Sequence, residues 1–390
     1  MRQPVLVPRM RPFTSTIFAE MTALAQRTGA VNLGQGFPDT DGPPGMLATA
    51  RKAIAEGVNQ YPPGPGMPEL RAAIAEHRTR YGTEYDPDTQ ILVTVGATEA
   101  ISAALLALVG PGDEVVVIEP YYDSYAAAVA LAGATRRVVG LREAGDGRFA
   151  LDVDALRAAI TPATRVVLLN SPHNPTGTVF TRAELTEIAA LCVRHDLIAV
   201  TDEVYEHLLY DGRAHIPLAT LPGMADRTVT VSSAGKTFNC TGWKIGWVCG
   251  SPELVGAVRA TKQFLTFVGG APFQPAVAYA LRNELPWVTE LRDSLQTKRD
   301  RLSAGLADAG FAVHPSAGTY FVCVDVRPLG FTDGAQLCWA LPERIGVAAV
   351  PVQGFTDHPE QWQHLVRFAF CKRDDVLDEA IRRLSTLGDN

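Results

Sequence analysis

The stretch "TVTVSSAGKT" at residues 228–237 joins a run typical of a β-strand to a lysine, Lys236. Threonine and valine are β-branched, and a row of such residues favours a strand. The stretch "LIAVTDE" at residues 197–203 has a similar apolar form and ends in two acidic residues. These two strands with polar ends allow two hypotheses: a phosphate-binding loop with its acidic partner strand, or a lysine used for covalent chemistry.

Both stretches belong to a series of short apolar runs in the middle of the chain. The runs are ILVTV (91–95), EVVVIE (114–119), RRVVGL (136–141), RVVLLN (165–170), LIAVTD (197–202), TVTVSS (228–233) and IGWVCG (245–250). Amphipathic helical patterns such as TRAELTEIAALCVRH separate several of them. Continuous apolar strands that alternate with helices predict an α/β fold, in which helices cover both faces of a mostly parallel sheet.

The pattern changes near residue 275, which predicts two domains. We expect a large sheet domain at residues 46–275. Residues 276–390 combine helical stretches with the runs FAVHPSAGTYFVCVDV, IGVAAVPV and HLVRFAFC, as is typical of a smaller α+β domain. Residues 1–45 are expected to form an N-terminal arm and part of that smaller domain, with one helix at about 15–28 that ends before Gly29.

The composition is that of a globular protein, with 47% apolar residues, 20% charged residues and a net charge of -7. The negative charge argues against a nucleic-acid partner, which a basic surface would recognise. No run of about 18 apolar residues predicts a membrane span, and prolines interrupt the N-terminal residues where a signal peptide needs an apolar core. Six cysteines without Cys-x-x-Cys spacing predict free thiols, no metal site and a cytoplasmic location.

A phosphate-binding loop of the ATPase type does not fit the stretch around Lys236. Such a loop requires G-x-x-x-x-G-K-[ST], and Thr230 stands where the first glycine should be. The preceding residues are also strand-like, which leaves no room for a glycine-rich loop. Gly34 and Gly36 are followed by turn-forming residues and not by a helix, so a nicotinamide-binding Rossmann motif is not predicted either.

A lysine at the end of a buried strand is more consistent with nucleophilic chemistry. Burial lowers the pKa of an amine, and the neutral amine can form a Schiff base with an aldehyde. The aldehyde cofactor pyridoxal phosphate also needs a carboxylate at its ring nitrogen and a helix N-terminus for its phosphate. Asp202 closes one predicted strand, and "VGATEA" at residues 95–100 passes from a strand into a helix. The chain therefore offers all the required groups at strand ends.

Eight stretches resemble class I, fold-type I pyridoxal-phosphate aminotransferases over nearly the whole chain. They are VNLGQGFPD (31–39), NQYPPGPGMPELR (59–71), VGATEA (95–100), EPYYDSY (119–125), NSPHNPTG (170–177), TDEVYEHL (201–208), SSAGKTFNCTGWKIGW (232–247) and HLVRFAFCK (364–372). Within this family the chain is similar to kynurenine and glutamine transaminases, and most similar to bacterial N-succinyldiaminopimelate aminotransferases of lysine biosynthesis. The resemblance implies a three-layer large domain with a seven-stranded sheet, and a homodimer with shared active sites.

The resemblance assigns the residues that hold the cofactor ring. It implies that Lys236 forms the Schiff base with pyridoxal 5'-phosphate and then acts as the general base. Asp202 would pair with the ring nitrogen. Tyr205 and Asn174 would hydrogen-bond the 3-oxygen of the ring, and Tyr122 would stack on the ring face.

The resemblance also implies a phosphate site. The backbone N–H groups of Ala97 and Thr98 would bind the phosphate together with the side chains of Ser233 and Lys244. Many relatives have arginine at the position of Lys244, and a lysine supplies the charge without the planar fork. Tyr61 would reach the phosphate from the neighbouring subunit, which would make the active site a property of the dimer.

The substrate contacts implied by the resemblance involve four residues. Arg367 should bind the α-carboxylate through a bidentate pair, beside Asn174. Gly36 would let the backbone approach the substrate, and Phe18 would form a wall of the side-chain pocket. The pair Gly269–Gly270 in "TFVGGAP" is interpreted as leaving room for a long substrate.

The expected reaction is transamination from N-succinyl-LL-2,6-diaminopimelate to 2-oxoglutarate. A broad-specificity aminotransferase for kynurenine, glutamine, aromatic amino acids or methionine, with C–S lyase activity on cysteine conjugates, remains an alternative because only the pocket walls would differ. A transcription regulator of the same fold would need an added helix-turn-helix segment, for which residues 1–28 are too short.

Overall fold

The structure is a computed structural model that describes residues 5–389. Residues 1–4 and Asn390, which are predicted to belong to the N-terminal arm and the C-terminal domain, lie outside the described residues. The strands are β1 (Val31–Asn32), β2 (Ile91–Val95), β3 (Glu114–Glu119), β4 (Thr135–Gly140), β5 (Arg142–Glu143), β6 (Phe149–Ala150), β7 (Thr164–Asn170), β8 (Ile198–Asp202), β9 (Thr228–Ser233), β10 (Ile245–Cys249), β11 (Ala312–Val313), β12 (Phe321–Asp325), β13 (Val347–Ala348), β14 (Val350–Pro351) and β15 (Leu365–Ala369). The α-helices are α1 (Ile17–Thr28), α2 (Pro44–Ala55), α3 (Pro68–Arg78), α4 (Gly96–Leu108), α5 (Asp123–Ala132), α6 (Val153–Ala159), α7 (Arg182–Arg194), α8 (Ala234–Thr237), α9 (Pro252–Lys262), α10 (Phe273–Asn283), α11 (Leu285–Asp308), α12 (Gly334–Arg344), α13 (Pro359–Trp362) and α14 (Asp374–Leu384).

The central sheet has seven strands in the order β2-β10-β9-β8-β7-β3-β4. Strand β10 is antiparallel to both of its neighbours, whereas the other adjacent strands run parallel. Each of the seven apolar runs picked out in the sequence forms one of these strands. The prediction of an α/β fold with a mostly parallel, seven-stranded sheet is therefore confirmed.

The sheet is buried on both faces because successive side chains of each strand point to opposite sides. In β3, Val115 and Val117 pack in one cluster with residues of α4, α5 and α9. Val116 and Ile118 pack in another cluster with residues of α1, α6 and α7. Full burial of such a side chain contributes about 1.5–3 kcal/mol. The two-sided apolar pattern of the strands thus produces the three layers.

A second sheet lies in the C-terminal part of the chain and is antiparallel, with the order β11-β12-β15-β14. The N-terminal strand β1 pairs in parallel with β13, which links the predicted arm to this part of the chain. Helix α10 spans the predicted boundary at residues 275 and 276. The division into residues 1–45, 46–275 and 276–390 stays a prediction.

Helix α1 forms where the sequence predicts a helix at about residues 15–28. The side chain of Thr16 accepts a hydrogen bond from the backbone N–H of Ala19, at 3.2 Å, and thereby caps the first turn. Gly29 follows the last turn with φ 66, a left-handed conformation that favours glycine. Helix α1 carries Phe18, and the segment after it carries Gln35; both residues line the cavity described below.

The six cysteines are all free and buried, as their spacing predicts. Among residues 5–389, no helix has both the length and the apolar character that a bilayer crossing requires.

Candidate active site

A cavity of about 350 Å³ opens at the carboxyl ends of four strands in the central sheet. Gly96 follows β2, Asn170 ends β7, Asp202 ends β8 and Ser233 ends β9, and all four line the cavity. Ligands of open α/β sheets bind at this edge, and the volume lies within the range of about 300–1,000 Å³ found for small-molecule sites. The fold therefore gathers polar residues from distant positions at one small-molecule site.

Twelve of the thirteen residues that the resemblance assigns to the cofactor or the substrate line this cavity. They are Phe18, Gly36, Ala97, Thr98, Tyr122, Asn174, Asp202, Tyr205, Ser233, Lys236, Lys244 and Arg367. Tyr61 does not; it is 80% exposed and packs against Phe267 with ring centroids 5.4 Å apart. Its proposed contact with a neighbouring subunit stays a prediction.

Lys236 lies in α8, the short helix that follows β9 directly. Burial lowers the pKa of its amine to about 8, and the positive charges of Arg367 and Lys244 act in the same direction. The Nζ atom lies 3.4 Å from the carbonyl oxygen of Gly36, to which it donates a hydrogen bond. A lysine with this pKa is partly neutral near physiological pH, so its amine can act as a nucleophile or a base.

Asp202 is buried at the floor of the cavity. Burial raises the pKa of its carboxyl to about 6, and two hydrogen bonds oppose this shift. The Tyr125 hydroxyl donates to Oδ2 at 2.6 Å, and the backbone N–H of Val204 donates to Oδ1 at 3.2 Å. A carboxylate that is desolvated to this degree is stabilised by a cation such as a protonated ring nitrogen.

The turn at residues 95–98, hereafter the anion-binding turn, leads from β2 straight into α4. Gly96 has φ 73, and a Cβ at this position would lie 3.1 Å from Nζ of Lys244. Gly246 of β10 packs against the turn so closely that a Cβ would lie 2.5 Å from the carbonyl carbon of Gly96. The free N–H groups and positive dipole of a helix N-terminus bind anions, and Lys244 adds a full charge. The turn is thus suited to a phosphate group.

Arg367 lies on β15 at the opposite wall of the cavity and is 1% exposed. Its Nη1 donates to Oδ1 of Asn174 at 2.8 Å, and its Nη2 donates to the carbonyl oxygen of Gly34 at 3.0 Å. The guanidinium carbon lies 3.8 Å from the ring centroid of Phe321, and Nε has no hydrogen-bond partner. Among residues 5–389, no ion pair between Arg367 and a carboxylate is found, and no carboxylate is among the main influences on its pKa. The planar guanidinium is therefore available to a ligand carboxylate.

The backbone at Gly36 forms part of the cavity wall because no larger residue fits there. A Cβ at this position would lie 2.4 Å from Cζ of Phe321. The Tyr320 hydroxyl donates to the carbonyl oxygen of Gly36 and holds this segment in place. The predicted close approach of backbone at Gly36 has a direct steric reason in this structure.

Three aromatic residues named from the sequence complete the walls. The ring of Phe18 lies 5.4 Å from that of Phe355, and the ring of Tyr122 lies 5.7 Å from that of Tyr125. Burial raises the pKa of the Tyr205 hydroxyl above its ordinary value, so this group stays protonated and can donate a hydrogen bond.

The pair Gly269–Gly270 does not line this cavity. Both residues line a second pocket together with Tyr61. A Cβ at Gly270, which has φ +65, would lie 2.2 Å from Cδ1 of Ile245, and a Cβ at Gly269 would lie 2.9 Å from Cγ2 of Val95. Close packing against Val95 and Ile245 accounts for these glycines. The interpretation that they leave room for a long substrate stays a prediction.

Several cavity residues were not named from the sequence. They are Gln35, Gly96, Ile101, Tyr125, Asn170, Val204, Gly235, Thr241, Ile245 and Phe321. Asn170 is the last residue of an apolar run, a signal that could have identified it. Its side chain accepts a hydrogen bond from the backbone N–H of Asn174 at 2.7 Å, and so orients the residue that contacts Arg367.

A second buried group of charges lies outside the cavity. We call it the Arg78 network; its members are Arg78, Glu203, Glu206, His77, His207 and His215. Two sets of three side chains within it could geometrically hold a metal ion. However, Nη1 of Arg78 already lies 2.9 Å from Oε2 of Glu206, and Nη2 lies 3.1 Å from Oε2 of Glu203. The guanidinium therefore supplies the positive charge that a metal would bring.

Comparison with known proteins places this site in a family. A model of the family "Aminotransferase class I and II" matches residues 28–384. The "Probable N-succinyldiaminopimelate aminotransferase" of Mycobacterium tuberculosis is 62% identical over 392 residues, which cover 98% of each chain. The methionine aminotransferase of Escherichia coli (strain K12) is 39% identical over 374 residues, which cover 96% of each.

A solved structure supports the same family assignment. The structure of N-succinyldiaminopimelate aminotransferase from Mycobacterium tuberculosis superposes with a TM-score of 0.96 at 63% sequence identity, and the match covers 98% of this chain and 100% of that one. The chain therefore belongs to the class I and II aminotransferases.

Proposed function

We propose that this enzyme uses pyridoxal 5'-phosphate to transfer an amino group from N-succinyl-LL-2,6-diaminopimelate to 2-oxoglutarate, a step of lysine biosynthesis. The observation that carries the choice of substrate is the 62% identity, over 98% of both chains, to the mycobacterial protein of that name. Because this identity extends over nearly the full length of both chains, we expect the two proteins to share a donor.

The cavity fits pyridoxal phosphate by its set of donor and acceptor groups. A buried acid faces a buried amine, and both pKa values are shifted towards neutrality, to about 6 for Asp202 and about 8 for Lys236. The anion-binding turn and Lys244 offer a site for the phosphate. When bound, pyridoxal phosphate supplies a ring that stabilises negative charge at the substrate α-carbon and stores the amino group between the two halves of the reaction.

The cavity side chains have separate roles in binding the substrate, binding the cofactor and transferring a proton. Arg367 binds the α-carboxylate through its guanidinium, which Asn174 orients. Lys236 removes the proton from the α-carbon and returns one, for which its lowered pKa is suited. Asp202 stabilises a positive charge on the ring nitrogen, and Tyr205 donates a hydrogen bond to the ring oxygen.

Association into a homodimer is part of the proposal. Tyr61, Phe264 and Phe267 are large apolar residues at 80%, 85% and 53% exposure, a cluster that indicates an interaction surface. Tyr61 reaches the phosphate bound by the neighbouring subunit. The cytoplasm is the proposed location, because buried free thiols are typical of reducing compartments.

Covalent labelling tests the assignment of Lys236. The protein is incubated with pyridoxal phosphate, reduced with borohydride and mapped by peptide mass spectrometry. We expect the label on Lys236, and we expect Lys236→Ala to lose at least about 10,000-fold in kcat, the upper range for a group in general acid–base catalysis. The control variant Lys298→Ala removes an amine outside the cavity and should keep full activity. A label elsewhere, or an active Lys236→Ala enzyme, would contradict the proposal.

A panel of amino donors tests the substrate. The 39% identity to a methionine aminotransferase makes a broad-specificity enzyme the second candidate. With 2-oxoglutarate as acceptor, we expect the highest kcat/KM for the succinylated diamine and parallel lines in a double-reciprocal plot. A higher kcat/KM for methionine, kynurenine or phenylalanine would replace the proposed substrate by the second candidate.

A further inference from the structure

One buried carboxylate beside the anion-binding turn has no role in the chemistry described above. Glu99 lies in the first turn of α4 and is buried. Its Oε2 accepts a hydrogen bond from the backbone N–H of Val95 at 2.5 Å, so it fixes the residue at which the turn begins. The bond occupies the N–H of Val95 and leaves the N–H groups of Ala97 and Thr98 to a ligand.

The other oxygen of this carboxylate contacts a different segment. Thr266, 167 positions further along the chain, donates its hydroxyl hydrogen to Oε1 of Glu99. Thr266 belongs to the loop at residues 263–270, hereafter the aromatic loop, which also carries the exposed Phe264 and Phe267. Glu99 is therefore bonded to the anion-binding turn on one side and to the aromatic loop on the other.

One residue of the aromatic loop has an unusual backbone conformation. Phe267 has φ 63, which lies in the left-handed region that residues other than glycine rarely adopt. The buried amine of Lys262 donates to the carbonyl oxygen of Phe267 at 2.5 Å and stabilises this conformation. The ring of Phe267 also packs against Tyr61. Thr266 immediately precedes Phe267, and its hydroxyl contacts Glu99, so the contacts of the exposed aromatic residues and the contact with Glu99 lie on the same short loop.

We infer that Glu99 is a positioning residue, which together with Thr266 couples the aromatic loop to the anion-binding turn. This inference rests on the proposed function, in which the turn binds the cofactor phosphate and the aromatic residues meet a second copy of the chain. Because a coupling between two binding events is reciprocal, cofactor binding and subunit association strengthen each other through this bridge.

Thr266→Val removes the hydrogen bond between Thr266 and Glu99. The substitution carries a low risk to folding, because Thr266 lies on an exposed loop and valine has nearly the same shape. We expect the dissociation constant for pyridoxal phosphate to rise roughly tenfold, as for the loss of a hydrogen bond to a charged acceptor. At saturating cofactor, kcat should stay within about twofold, since no group that contacts the substrate is lost. Thr266→Ser keeps the hydroxyl and should restore wild-type affinity. Thr186→Val, which removes an exposed hydroxyl on α7, should change neither quantity.

Glu99→Gln separates positioning from simple charge repulsion. If the carboxylate acted only as a negative charge near the phosphate, its removal would strengthen cofactor binding. We expect weaker binding, because the neutral amide of glutamine can replace at most one of the two accepting oxygens and forms weaker hydrogen bonds than a carboxylate does. Equal or tighter binding in Glu99→Gln would overturn the inference, as would an unchanged dissociation constant in Thr266→Val.

Subunit association supplies the second readout. Sedimentation velocity gives the dimer dissociation constant with and without pyridoxal phosphate. We expect the cofactor to tighten the wild-type dimer, and to tighten the Thr266→Val dimer several-fold less. The same cofactor-dependent change in both proteins would contradict the coupling. A wild-type protein that binds no pyridoxal phosphate at Lys236 would instead refute the proposed function, so the two failures are distinct.

Discussion

Two fully buried arginines of this enzyme have opposite surroundings. Arg78 is 0% exposed and Arg367 is 1% exposed. Arg78 contacts two carboxylates, Glu203 and Glu206, at 3.1 and 2.9 Å. Arg367 contacts an amide oxygen, a backbone carbonyl and the face of an aromatic ring. Carboxylates of the protein neutralise the positive charge of Arg78, whereas the positive charge of Arg367 remains available to a ligand carboxylate.

The pKa values of the two guanidinium groups reflect this difference. Burial by itself lowers the pKa of Arg78, but the charges of Glu203 and Glu206 outweigh it and the pKa is raised. Burial also lowers the pKa of Arg367, and no carboxylate reverses the shift. A buried charge without a counter-charge destabilises the free protein, and its retention indicates a function.

Arg367→Met should produce the largest effect and should act on catalysis. We expect kcat/KM for the amino donor to fall about 1,000-fold or more, which corresponds to about 4 kcal/mol for the loss of a buried, hydrogen-bonded charge pair with the substrate carboxylate. Because no protein carboxylate is left unpaired, the free energy of unfolding should change far less than in the Arg78 variant below. Steady-state kinetics and urea unfolding measure the two quantities. Retained activity would refute the assignment of Arg367 to the substrate carboxylate.

Arg78→Met should act on stability instead. The substitution leaves Glu203 and Glu206 buried without their guanidinium, and breaking a buried ion pair in this way costs about 3–5 kcal/mol. The matched control is Arg157→Met, which removes an exposed pair with Asp154 and should cost less than about 1 kcal/mol. Urea unfolding of the three proteins gives the comparison. If Arg78→Met were as stable as the control, the Arg78 network would not be a stabilising element.

Asp202→Asn should change the free energy of unfolding less than Arg78→Met does, and in the opposite direction. The folded-state pKa of Asp202, about 6, lies above the unfolded value of about 4, so ionisation destabilises the ligand-free fold at every pH above 6. Asparagine removes that effect and should stabilise the ligand-free protein by up to about 3 kcal/mol at pH 8, since one pKa unit corresponds to about 1.4 kcal/mol. The gain should disappear as the pH falls from 6 to 4. Thermal unfolding between pH 4 and 8 measures it.

The pH dependence of cofactor affinity is a second test of the raised pKa of Asp202. In the wild-type enzyme the affinity for pyridoxal phosphate should decrease below about pH 6, where Asp202 takes up a proton. In Asp202→Asn the affinity should be lower and lack this dependence. A variant that is less stable than the wild type at pH 8, or that keeps the wild-type pH profile, would contradict the account of Asp202.

The strands and most of the cavity could be predicted because their signals are local. An apolar, β-branched run identifies a buried strand, and a polar residue at its carboxyl end, such as Asp202 or Lys236, falls at the edge where ligands bind. Asn170 follows the same rule and was overlooked. Tyr125 carries no such signal, because in sequence it is one more residue of an amphipathic helix; only the folded chain brings its hydroxyl to Asp202.

The Arg78 network and the packing of the aromatic loop depend on contacts that the sequence does not reveal. Arg78 is separated from Glu206 by 128 positions, and no local pattern distinguishes it from the other basic residues of α3. Gly270 lies in a loop, and its lack of a side chain is required by Ile245, which lies on β10. Such long-range steric and charge contacts are fixed only when the sheet has formed.

The segment at residues 202–207 contributes side chains both to the cavity and to the Arg78 network. Asp202 and Tyr205 line the cavity, whereas Glu203 and Glu206 face away from it towards Arg78. Transplanting these catalytic groups into another scaffold would therefore require more than copying the residues that contact the ligands. Without an arginine equivalent to Arg78, the two glutamates would be buried without a counter-charge. The backbone would then rearrange to expose them to solvent, and the aspartate and tyrosine would no longer point into the cavity.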